Sequence, residues 1–272
     1  MCLAIIASNV LPNWPLIVVA NRDELHSRPT LPAGPWSDAE GVLGGRDLTA
    51  GGTWLGFTSR GRFALLTNYR EPGLYDLQAP SRGHLTGGFL RGEQAPKNYA
   101  VELVRRAQVY NGFNLMLGDS SGLWYCSNRS GISVQQVRDG VVGISNASLN
   151  TPWPKLTRTQ QAISHQLAQV HPSQTPSPER LFEIMQDTRS ASLDELPDTG
   201  IGPERERLLG SPFIKNERYG TRCTTLIMQR SDGMALFHEK RYGADAMENG
   251  ESIWTIDTKK QQFLSGSKNF SL

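Results

Sequence analysis

The first seventy residues alternate short apolar runs with turn residues. Residues 3–8 are apolar and rich in β-branched side chains, residues 9–15 carry turn formers, and residues 16–20 are apolar again. Two such runs around a turn predict a β-hairpin. Gly44-Gly45, Gly51-Gly52 and the neighbouring Asp47 mark loops, and residues 53–58 and 62–67 alternate as strands around Ser59-Arg60-Gly61. Helical periodicity takes over at residues 81–90 and again at 99–107, where apolar side chains at 100, 101, 103, 104 and 107 share one face. Strand-like segments follow at 113–117, 123–127, 132–137 and 141–144. A second helical block covers 156–170 and 179–186, interrupted by Pro172, Pro176 and Pro178. Residues 190–211 are polar and read as a surface excursion. The chain then returns to strands at 222–229, 234–241 and 253–257. Strands joined by short turns pair antiparallel, so two antiparallel sheets with helices outside them fit the order.

Length and charge narrow the classes. At 272 residues the chain suits one large domain, residues 1–272, better than two with separate cores. A net charge of only +2, with scattered basic residues, offers no stripe for a polyanion, so no nucleic-acid partner is expected. The longest apolar runs, such as 16–20 and 63–66, fall far short of the roughly 18–20 residues of a membrane helix. The N-terminus has no basic region ahead of a long apolar run, so a cytoplasmic location is expected. The cysteines are Cys2, Cys126 and Cys223, with no C-x-x-C pair, and no zinc spacing links them to the five histidines. Neither a disulfide framework nor a metal is expected. His26, just after residues 21–24, is the one histidine near the candidate chemistry.

That chemistry starts at Cys2. A cysteine after the initiator Met permits Met removal, and Cys2 would then carry a thiol and a free α-amine. An amine with an unperturbed pKa of ~7.7–8.0 can serve as the thiol's own base. The same cysteine is also simply a small apolar residue opening a strand. Asn21-Arg22-Asp23-Glu24 follows the second apolar run, at the end that hairpin pairing brings beside Cys2. Arg22 there would lower the thiol pKa and Asp23 would hold the amine; a solvated loop is the plainer reading. Taken alone, Asn146 can cap a turn, Asn68 can end a strand, and Arg222 can be an edge charge. Trp54 reads as core or as the wall of a ligand site.

Met-Cys at the terminus and the A-N-R-D-E segment resemble the NRDE family, also called the transport and Golgi organisation type. The resemblance extends to Gly51-Gly52-Thr53-Trp54-Leu55-Gly56, Leu66-Thr67-Asn68-Tyr69-Arg70, Ser81-Arg82-Gly83, Ile144-Ser145-Asn146 and Tyr219-Gly220-Thr221-Arg222. That family is similar to N-terminal-nucleophile hydrolases such as penicillin V acylase and bile salt hydrolase. The resemblance implies an α+β fold, a four-layer αββα sandwich of two antiparallel sheets flanked by helices. It implies Cys2 as nucleophile, Arg22 and Asp23 as its supports, Asn146 beside the reacting carbonyl as donor to the developing oxyanion with Asn68 as the second donor candidate, and Arg222 as the late arginine. In the acylases the Arg and Asp are spaced apart; here they are adjacent. Asn21, Glu24, Asn68 and Trp54 are the expected ligand contacts. Two functions follow from the resemblance: a cysteine hydrolase or acyltransferase on a small acyl-amide, needing no cofactor, or a non-enzymatic carrier of haem, acyl-coenzyme A or another lipid metabolite.

Overall fold

A computed structural model describes residues 2–129, 131 and 133–266. In chain order the elements are β1 (Cys2–Leu11), β2 (Trp14–Leu25), β3 (Thr30–Pro35), β4 (Val42–Asp47), β5 (Leu55–Thr58) and β6 (Phe63–Asn68). There follow α1 (Gly83–Arg91), α2 (Pro96–Val104), β7 (Phe113–Asp119), β8 (Gly122–Ser127), β9 (Ser133–Val137) and β10 (Gly140–Ile144). The last third holds α3 (Pro154–Ala168), α4 (Pro178–Met185), α5 (Pro203–Leu208), β11 (Tyr219–Gln229), β12 (Met234–Tyr242), β13 (Glu248–Asp257) and β14 (Gln262–Gly266).

The strands form two antiparallel sheets of seven, ordered β10-β1-β2-β11-β12-β13-β14 and β3-β4-β5-β6-β7-β8-β9. Alternation along each strand decides which side chains meet. In β1 and β2 the even positions Ala4, Ile6, Leu16, Val18 and Ala20 face the second sheet, where Phe57, Phe63 and Met116 complete the core between the sheets. The odd positions Leu3, Ile5, Ile17 and Val19 face α3 and α4, packing on Leu156, Ile163 and Leu181. The outer face of the second sheet packs Leu66, Phe113 and Leu115 against Leu85, Phe89 and Leu103 of α1 and α2. The result is helices, sheet, sheet, helices: the αββα sandwich expected from the sequence. No helix among the described residues is long and apolar enough to cross a membrane.

Three expectations change. Residues 21–24 are not a loop after a strand: β2 continues through them to Leu25, pairing with β1 on one side and β11 on the other. β11 pairs with all four of these polar residues and β1 with Asn21 and Arg22, which outweighs their poor strand propensity. Gly44-Gly45 also lies inside a strand, β4. A Cβ on Gly45 would fall 2.2 Å from the Trp54 ring, so glycine there makes room for the indole. β3 and β14 carry too little apolar alternation to be seen in sequence. Of the strand expected over 132–137, Ser133–Val137 forms β9 and Ile132 lies outside the described residues.

Candidate functional site

Register places the site. Cys2 lies directly opposite Arg22, Arg22 opposite Cys223, and Cys223 opposite Arg241. Directly paired residues share a face, so this row crosses one end of the first sheet on the side turned to the second sheet. Cys2 opens into a cleft of about 420 Å³, together with Arg22, Asp23, Glu24, Trp54 and Asn68. Arg28, Asp47, Tyr75, Ser81 and Arg82 line it too. A larger depression of about 610 Å³ lies around residues 188–215, where the lining holds no cysteine, carboxylate or histidine.

Arg22 is 5% exposed and held from three sides. Its Nη1 donates to Thr30 Oγ1 at 3.3 Å, its Nη2 lies 3.6 Å from Asp47, and the guanidinium stacks 4.2 Å over Trp54. Arg28 holds the same Asp47 carboxylate at 2.6 Å, and the Asp47 carboxyl sits below its ordinary pKa despite burial, because Arg28 and backbone N–H groups donate to it. Asp23 is rooted on the helix side of the sheet, where Thr221 Oγ1 donates to its Oδ1 at 2.7 Å. Burial pushes the Asp23 carboxyl up, opposed in part by the charge of Lys155. Lys155 is itself buried at the start of α3 and donates to the Leu209 carbonyl at 2.9 Å. Burial brings its ammonium down to about 8, against the pull of Asp23.

Cys2 is half-buried. Burial pushes its thiol up and the Asp23 carboxylate adds to the rise. Arg22 and the nearby Asp23 backbone N–H pull the other way. The Cys2 carbonyl accepts from Ser145 Oγ at 3.2 Å. Met1 lies outside the described residues.

The remaining expected residues divide. Asn146 reaches the neighbourhood of Cys2 but is fully buried, and its Nδ2 donates to the Asn68 carbonyl at 2.9 Å. It therefore fixes the end of β6, while Asn68 presents its own side chain to the cleft with no hydrogen-bond partner among the described residues. Asn21 turns away: its Nδ2 donates to the Met185 and Pro212 carbonyls and its Oδ1 accepts from Thr224. It joins β2 to α4 and does not reach the cleft. Glu24 lines the cleft, with Oε1 accepting the Leu25 N–H. Arg222 is not brought to the thiol. It sits at the bulge between Thr221 and Cys223, and its Nη1 donates to the Leu25 and Arg28 carbonyls. His26 contacts the Asn216 carbonyl. Arg28, Asp47, Tyr75 and Arg82 join the site without having been expected there; only Arg82, inside the Ser-Arg-Gly segment, carries a sequence signal. Its guanidinium donates to the Gly112 carbonyl, and burial lowers its pKa.

Among the described residues no group of three or more His, Cys, Asp or Glu could hold a metal ion. What the cleft offers is a thiol, a buried carboxylate beside it, three guanidiniums (Arg22, Arg28 and Arg82) and the Asn68 amide, which has no hydrogen-bond partner among the described residues.

Solved structures similar in arrangement include a Caenorhabditis elegans N-acylethanolamine-hydrolyzing acid amidase ortholog, 13% identical, with a TM-score of 0.49 over 83% of this chain and 92% of that one. Another is a variant of conjugated bile acid hydrolase from Clostridium perfringens, 10% identical, with a TM-score of 0.49 over 100% of this chain and 99% of that one. Among sequences, the Homo sapiens transport and Golgi organization protein 2 homolog is 34% identical over 258 residues, 89% of this chain and 91% of the relative. Drosophila melanogaster transport and Golgi organization protein 2 is 28% identical over 286 residues, 95% of this chain and 96% of the relative. The family profile described as Transport and Golgi organisation 2 matches residues 1–244, a span that takes in Cys2, the whole of β2, both walls of the cleft and Arg222. The chain that builds this thiol-bearing cleft therefore belongs to the Transport and Golgi organisation 2 family.

Proposed function

We propose that the chain is a cysteine amide hydrolase or acyl transferase acting on a small acyl-amide at Cys2. The observation that carries the reading is the opening of β1 into the cleft. Cys2 lies directly opposite Arg22, and its thiol shares the cleft with the Asn68 amide, which has no hydrogen-bond partner among the described residues. In a chain cleaved after Met1, the Cys2 α-amine takes the thiol proton and the sulfur attacks the substrate carbonyl carbon. The Asp23 carboxylate accepts from the resulting ammonium. Negative charge on the carbonyl oxygen is received by Asn68, which Asn146 holds in place through the Asn68 carbonyl. The ammonium then protonates the leaving nitrogen, the C–N bond breaks, and a thioester remains on Cys2. Water, deprotonated by the amine, or an acceptor nucleophile releases the acyl group and restores the thiol.

Intact mass of the purified protein, followed by iodoacetamide labelling and turnover of an acyl-amide panel, tests this. The expected result is a mass lacking Met1, a single adduct mapped to Cys2, and turnover abolished by Cys2→Ala. Asn68→Ala should lower kcat by about 10²–10³. A mass retaining Met1, with no adduct on Cys2, refutes the hydrolase and leaves a ligand-carrying role for the cleft.

A further inference from the structure

On the far side of the Arg22–Trp54 stack lies a second, smaller chamber of about 230 Å³. Arg22 and Trp54 are the wall it shares with the Cys2 cleft. Three strand spacings separate Cys2 from Arg241 along the register row, about 14 Å, so the chamber has its own chemistry.

That chemistry is cationic. Arg222 and Arg241 both line the chamber, and Arg22 closes it. Arg222 makes no ion pair among the described residues: its hydrogen bonds go from Nη1 to two backbone carbonyls, which carry no net charge. Arg241 is fixed by Ser252 Oγ at 2.7 Å and by the Glu251 carbonyl, and it stands 3.5 Å from Glu239. Glu239 is the acid of the lining, and its Oε1 already accepts the Ala33 N–H at 2.9 Å. Burial pushes the Glu239 carboxyl up, which weakens it as a counter-charge. Burial and the nearby charge of Arg22 both lower the Arg222 pKa, the sign of guanidiniums brought close together. Like charges gathered around a hollow favour an anion inside it, because the ligand recovers repulsion that folding left in place. Leu31, Pro32 and Tyr242, with the Trp54 ring, give the wall apolar surface beside Thr30, Cys223 and Asn249, so an anion with a carbon skeleton fits it.

We propose that this chamber binds the carboxylate of a small organic acid, clamped between Arg222 and Arg241. The site does not rest on Cys2 being catalytic.

The test uses the full chain and two probes, glutarate and inorganic phosphate, titrated calorimetrically at low ionic strength. Glutarate is expected to saturate, and Arg241→Met to weaken it by about tenfold to a hundredfold, the usual worth of a charge-assisted hydrogen bond. Because Arg241 also ties β12 to β13, a second variant guards against misfolding. Asn249 is exposed at the chamber's rim, and Asn249→Asp adds a like charge without changing shape. It should weaken glutarate by about tenfold. Cys2→Ala should bind glutarate as the wild type does, which separates this site from the thiol cleft. No saturation by glutarate, wild-type affinity in both chamber variants, or tighter binding of phosphate than of glutarate would each overturn the assignment.

Discussion

Behind the cleft, Arg70 and Glu206 form an ion pair that is nearly sealed from water, with side chains 6% and 5% exposed. Arg70 Nη1 donates to Glu206 Oε2 at 2.6 Å, and the other carboxylate oxygen accepts from the Thr199 N–H and hydroxyl. Replacing Glu206 by Ala leaves the Arg70 guanidinium inside the protein without that counter-charge. Breaking one partner of such a pair costs about 3–5 kcal/mol, against about 0–1 kcal/mol for an exposed pair. The exposures place this pair in the first class, with no discount for solvent screening. For a chain of this size that corresponds to a fall in Tm of roughly 5–9 °C. Urea unfolding followed by tryptophan fluorescence reads the loss as a lower midpoint. The Arg70→Met, Glu206→Leu double variant removes both charges and should recover most of it, because the cost lies in keeping the Arg70 charge buried without Glu206 rather than in the lost attraction. The damage should also reach the cleft. The Arg70 N–H donates to the Asn146 carbonyl at 2.7 Å, and Asn146 holds Asn68, so Cys2 alkylation should change in Glu206→Ala and recover in the double variant. A Glu206→Ala loss below about 1 kcal/mol would refute the reasoning, since the pair would then behave as a surface one.

Two further outcomes follow from the same geometry. Gly45→Ala drives a methyl into the Trp54 ring, so the indole must shift and the Arg22 stack with it; about 1–3 kcal/mol of stability should go, and a crystal structure of the variant should show Trp54 displaced. An unshifted indole would contradict this. Lys155 titrates at about 8 in the fold against about 10.4 unfolded, so between those values the unfolded chain binds the extra proton and stability rises with pH. Wild type minus Lys155→Met should therefore gain up to about 1.4 kcal/mol per pH unit across that window, measured by urea midpoints at each pH. A flat difference would mean that Lys155 keeps an ordinary pKa.

Much of the architecture is legible from periodicity because each layer has one apolar face. The hairpin of β1 and β2, the helices α3 and α4, and the closing strands all stand out for that reason. β2 reads too short in the sequence because its last residues are polar, and nothing local says that two neighbouring strands will satisfy their backbones. The site is legible where register can be inferred: a hairpin forces Cys2 opposite the end of β2. Asn146 and Asn68 come near the thiol as expected, yet which of the two faces the cleft depends on a bond between them across 78 positions. Arg28 and Asp47 are invisible in the sequence because they meet Arg22 only through pairing of β3 with β4, a pairing that no local pattern advertises. Arg222 departs from expectation for a related reason. The bulge between Thr221 and Cys223 shifts it out of step with its neighbours, and no residue type signals that break.

Because β2 is bonded along both edges, its numbering is locked to its orientation. Arg22 looks toward the opposing sheet and Asp23 toward the helices only while the count from Val18 onward stays unchanged. One residue added in that stretch would exchange their outlooks, turning the carboxylate toward Asp47 and the guanidinium toward Lys155 of α3. Homologues should therefore differ in length at the Asn13 turn and never between Val18 and Asp23.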